Sequence, residues 1–95
     1  MTTPAGFKSI QDKGFHITFE NGYTVSVQFG YGNYCENRDK LMKKTPSVTA
    51  EIAYWKDGEL IAFKTEDGEF DDTVKGWQSP EQVLAFMNMV SSLTE

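Results

Sequence analysis

The sequence predicts an α+β fold: a four- to five-stranded antiparallel sheet of hairpins with one C-terminal helix packed on one face. Three observations predict it. Residues 15–29 alternate apolar and polar on both sides of Asn21-Gly22, and residues 47–64 alternate around Asp57-Gly58. Residues 79–93 open with helix-start residues and then place apolar side chains at helical spacing.

The first hairpin carries the sharpest register argument. Phe15, Ile17 and Phe19 precede the turn, and Tyr23, Val25, Val27 and Phe29 follow it. Asn-Gly ordinarily makes a two-residue type I′ turn. That turn would pair Glu20 with Tyr23 and throw the large apolar residues of the two strands onto opposite faces, because a one-residue slip inverts every side chain. A three-residue loop, Glu20-Asn21-Gly22 with Gly22 left-handed, pairs Phe19 with Tyr23 and Ile17 with Val25. All the large residues then share one face, so the sequence predicts a type I turn with a G1 bulge. The opposite face would carry His16, Thr18, Thr24, Ser26 and Gln28, either solvated or as a binding surface.

Residues 1–6 read as a flexible start, and residues 7–11 as a first strand turning at Asp12-Lys13-Gly14. Residues 30–46 form a long connection, of a length that in compact domains tends to be functional or disordered. In the second hairpin a two-residue type I′ turn at Asp57-Gly58 pairs Lys56 with Glu59 and Glu51 with Lys64. It also sets Ile52 opposite Phe63 and Tyr54 opposite Ile61; each favourable pair contributes about 0.2–1 kcal/mol, enough to choose a register. Residues 70–77 add a last short strand. Ser79 then caps the helix, Pro80 suits its first position and Gln82 completes a capping box. Val83, Phe86, Met87, Val90 and Leu93 form the apolar stripe that the sheet covers.

Length and composition bound the function. Ninety-five residues suit a single domain, and 39% hydrophobic content with 14% aromatics argues against disorder. A net charge of −5 disfavours binding to duplex nucleic acid through its phosphates. No apolar run is long enough to span a membrane, and residues 1–6 lack the basic start and apolar core of a signal peptide, so no membrane partner and a cytoplasmic location are expected. One cysteine, Cys35, excludes an internal disulfide framework and fits a reducing compartment.

Four groups of residues are candidates for function. The loop GYGNYC displays Tyr31, Asn33 and Tyr34 on a glycine frame, a combination suited to recognition. It lacks the lysine and hydroxyl of a phosphate-binding loop and the third glycine of a dinucleotide site. Its structural alternative is a strand continuing past Phe29 with a glycine bulge. The run EDGEFDD sets Glu66, Asp67 and Asp71 around Phe70, an apolar anchor among carboxylates that would face a basic protein surface; its ordinary reading is a solvated turn. It does not match a calcium-binding EF-hand. His16, Ser26, Arg38 and Lys40 form an alternative set for a small ligand. Finally, His16 and Cys35 are each the sole residue of their type; His16 sits mid-strand and no motif surrounds Cys35, so a solvated histidine and a small half-buried thiol are favoured over a nucleophilic pair, and one of each cannot supply a typical zinc site. No catalytic residue, metal or cofactor is therefore expected.

The segments FHITFENGYTVSVQFGYGNYCENR, AEIAYW and VKGWQSPEQV together resemble small uncharacterised accessory proteins encoded by bacteriophages. The resemblance implies a short acidic protein made in the cytoplasm of an infected host cell. The leading expectation is thus a non-enzymatic interaction protein that binds a host or phage protein and inhibits or redirects it, as anti-defence and host-takeover proteins do. The alternative is a protein that binds and sequesters a small ligand or nucleotide signal, with a homo-oligomer allowed; the third is a virion or assembly component.

Overall fold

The computed structural model describes residues 5–10, 13–29, 35, 47–64 and 71–94. Its main sheet is a meander, β1 (Gly6–Ile10), β2 (Gly14–Thr18), β3 (Tyr23–Gln28) and β4 (Ala50–Lys56), every neighbour antiparallel. The far side of β4 is shared end to end by β5 (Glu59–Leu60) and β8 (Lys75–Gln78). Between them β6 (Phe63–Lys64) and β7 (Asp71–Asp72) make a separate two-stranded ribbon. Helix α1 (Pro80–Ser91) lies on one face of the main sheet, against β3, β4 and β8.

The first hairpin has the bulged geometry that the apolar pattern demands. Ile17 pairs with Val25 and Thr18 with Thr24. The Gly22 amide donates to the Phe19 carbonyl at 2.9 Å, closing the turn, and Gly22 takes φ +89. Asn21 explains why this sequence occupies the turn. Its side-chain amide donates to the carbonyls of Val90 and Leu93, each at 2.9 Å, while its Oδ1 accepts from the Tyr23 amide at 3.1 Å. Val90 lies in the last turn of α1 and Leu93 just beyond its end, so the hairpin loop ties the C-terminal end of the helix to the sheet.

The helix start forms as its sequence predicts. Ser79 Oγ accepts from the Gln82 amide at 3.1 Å, and Gln82 Oε1 accepts from the Ser79 amide at 2.8 Å. Val83, Phe86 and Val90 are buried against Val25, Val27, Ala50 and Ile52, with Met87 and Leu93 packed at the margin. Each such side chain contributes about 1.5–3 kcal/mol when fully buried, so this cluster rather than helix propensity holds α1 in place.

The second hairpin is a type I′ turn, with Asp57 at φ +53, Gly58 at φ +80 and Lys56 paired with Glu59. The Ile61 amide still reaches the Tyr54 carbonyl at 3.0 Å. Beyond it the expected ladder stops. Phe63 does not pair with Ile52, nor Lys64 with Glu51. Phe63 pairs with Asp72 and Lys64 with Asp71, while Lys75 of β8 takes the place opposite Ile52. Phe63 nonetheless keeps to the apolar face, where its ring meets Tyr54 at 5.4 Å and Phe86 at 5.4 Å. The single last strand expected over residues 70–77 is accordingly divided between β7 and β8. The main sheet reaches six strands because β8 returns to β4.

Candidate functional site

The second face of the sheet is neither apolar nor simply solvated. Thr18, Thr24 and Ser26 are all buried. Register fixes what stands around them: Lys8 pairs with His16, His16 with Ser26, and Thr24 with Trp55. Alternation then puts Lys8, His16, Thr18, Thr24 and Trp55 on one face. They line a cleft of about 490 Å³ whose further wall is formed by Ala5, Gly6 and Phe7.

Two contacts organise this cleft. The His16 and Trp55 rings meet edge to face, with centroids 4.9 Å apart and planes 81° apart. Thr18 Oγ1 and Thr24 Oγ1 lie 2.8 Å apart and share one hydrogen bond. Two hydroxyls joined in this way use one hydrogen between them, and among the described residues the other hydroxyl hydrogen has no acceptor. Burial, and then the Lys8 ammonium, push the His16 imidazole below its ordinary value of 6.5. Both effects favour the neutral imidazole. Among the described residues of the β1–β2 ribbon the charged side chains are Lys8 and Lys13.

The opposite edge of the sheet displays a different feature. Ala50 pairs with Gln78 and Ile52 with Lys75, so β8 spends one more residue than β4 over the same span. This bulge falls at Gly76-Trp77, and Trp77 takes φ +52. Left-handed backbone is rare for a bulky side chain and costs of the order of 1–3 kcal/mol. Trp77 is 57% exposed, and Leu60 on the same edge is 54% exposed. The bulge re-aims the side chains of β8, and it leaves Trp77 more than half exposed.

The residues singled out by sequence divide as follows. His16 lines the cleft. Ser26 does not; it is buried and accepts a hydrogen bond from Gln28 Nε2 at 3.1 Å. Asp71 lies in β7 opposite Lys64. Tyr31, Asn33, Tyr34, Arg38, Lys40, Glu66, Asp67 and Phe70 lie outside the described residues. Cys35 is fully buried. Sequence reasoning missed Lys8, Trp55 and Trp77. The first two were findable, since Lys8 faces His16 once the first turn is placed and Trp55 alternates with the core residue Tyr54.

Among the described residues no group of three His, Cys, Asp or Glu side chains comes together to hold a metal ion. Nor is any described helix long and apolar enough to cross a membrane. Fold and site together define a small α+β protein of antiparallel hairpins and one helix, with a polar cleft on its open sheet face. Comparison with known proteins found no matching family model, curated protein or solved structure.

Proposed function

We propose that this chain is a non-enzymatic interaction protein that binds another protein and inhibits or redirects it. The observation that carries the reading is Trp77, held left-handed on a bulge and 57% exposed. Tryptophan is enriched among binding hot spots, and strained backbone positions cluster at functional sites. The acidic run with Glu66, Asp67, Phe70 and Asp71 precedes β8 directly in the chain, which favours a partner with a basic surface. Tyr31, Asn33 and Tyr34 are the remaining proposed contacts. The resemblance to phage accessory proteins supports a host or phage protein as the partner, met in the cytoplasm of the infected cell.

The test is capture of a partner from phage-infected cells by tagged wild-type and variant proteins. Trp77→Gly removes the indole while accepting the positive φ, and circular dichroism checks that the variant is folded. Trp77→Gly and the Tyr31→Ala/Tyr34→Ala double variant should melt like wild type or higher and lose the captured protein. Capture undiminished in both variants refutes this surface. A second reading, binding of a small ligand on the open sheet face, is favoured by one observation: the cleft with its buried, incompletely satisfied hydroxyl pair.

A further inference from the structure

We infer that the cleft between β1 and Trp55 is a binding site for a small planar ring carrying an anionic group, a carboxylate or a phosphate. This inference rests on the second reading above and is independent of Trp77.

Four features of the cleft point to that chemistry. Its volume, about 490 Å³, lies within the range of small-molecule sites, about 300–1,000 Å³. Its floor holds Thr18 and Thr24, both buried, whose shared hydrogen bond leaves one hydroxyl hydrogen to be donated. That hydrogen is available to an oxygen acceptor of a ligand seated in the cleft. Lys8, at the rim, has no carboxylate partner among the described residues and supplies the charge that selects an anion. The walls are two rings, Trp55 and His16, in edge-to-face contact; aromatic surface of this kind accepts a planar group by stacking. A neutral imidazole adds ring surface and a hydrogen-bonding nitrogen without a second fixed charge.

The edge-strand reading of Lys8 is the main competitor. Lysines on edge strands prevent association with other sheets and need no ligand. Lys13 offers the control: it is a lysine of the same ribbon that does not line the cleft. Any diffuse attraction of anions by the ribbon would respond to both residues alike.

The experiment is a titration of the isolated full chain followed by proton–nitrogen NMR, reading the Trp55 indole and the His16 ring. The probes are indole-3-carboxylate, adenosine 5′-monophosphate and inorganic phosphate. The expected result is saturable shifts of both rings with at least one ring-bearing probe, and binding at least tenfold weaker for phosphate alone. Lys8→Glu should weaken the ring-bearing probe at least tenfold, whereas Lys13→Glu should change it less than threefold. Thr24→Val, nearly isosteric, tests the hydroxyl donor and should weaken binding about threefold or more. Which of the two ring-bearing probes binds decides between an aromatic acid and a nucleotide. Three results overturn the inference: no saturable shift at millimolar probe, phosphate binding as tightly as the ring-bearing probes, or equal losses in Lys8→Glu and Lys13→Glu. Trp77→Gly should leave the titration unchanged, so failure here and failure of the partner reading are separate outcomes.

Discussion

Replacing Asn21 tests how the first hairpin and the helix are joined. Its amide gives two hydrogen bonds at 2.9 Å to the carbonyls of Val90 and Leu93, and its Oδ1 receives one from the Tyr23 amide. Asn21 is not at positive φ, so alanine fits its backbone and isolates the loss of the side chain. Each bond contributes about 0.5–1.5 kcal/mol, so losing the two helix contacts costs about 1–3 kcal/mol. Each kcal/mol moves the melting midpoint of a chain this size by about 4–8 °C. Asn21→Ala should therefore melt at least about 4 °C lower than wild type. Asn21→Asp keeps an acceptor for the Tyr23 amide but turns a carboxylate toward two carbonyls at the negative end of a helix, and should lose at least as much. Thermal melting by circular dichroism measures both, and hydrogen exchange at Leu93 should rise selectively. If both variants melt within about 2 °C of wild type, the hairpin does not anchor the helix and the packing account is wrong.

Two further predictions address the scaffold and the cleft. Gly14 sits at φ +147, and a Cβ built there would collide with the Val27 carbonyl oxygen, whereas at Gly22 the nearest atom is Lys56 Cε at 3.5 Å. Gly14→Ala should thus cost more than about 2 kcal/mol and Gly22→Ala about 1 kcal/mol, read by chemical denaturation, and the reverse order would contradict the register of β2 on β3. For His16, the folded value lies below the unfolded 6.5, so the unfolded chain takes up its proton first. Stability gained from a neutral His16 is present above 6.5, is lost as pH falls from there toward the folded value, and levels off below it. Lys8→Ala removes the second cause of the depression and should raise the His16 midpoint in an NMR titration; a wild-type midpoint at or above 6.5 contradicts the assignment.

The parts of the fold legible in the sequence are those governed by local rules or by one shared face. The bulged turn at Gly22 followed from requiring Phe19 and Tyr23 to lie together, a constraint within nine or so residues. The helix start was readable because Ser79, Pro80 and Gln82 satisfy one another. The second hairpin was right at Lys56–Glu59 and wrong beyond Ile61, because its competitor for β4 is β8, and a strand that returns from later in the chain leaves no mark in the hairpin itself. Asn21 looked like a turn residue only; its partners lie 69 and 72 residues away. The cleft was half legible. The Thr18–Thr24 pair is a consequence of the same register argument, yet the pairing of β3 with β4 that brings Trp55 beside Thr24 is a tertiary fact. Trp77 was opaque for a similar reason, since a bulge appears only once two strands are laid side by side.

The central claim, that Trp77 is displayed for a partner protein, is tested most directly by the footprint of the captured complex. Hydrogen exchange of the chain, free and bound, should show protection concentrated at β5, β8 and the Trp77 bulge, with residues 31–34 protected as well. Protection confined to β1 and the exposed face of α1, with residues 75–78 unchanged, would contradict it.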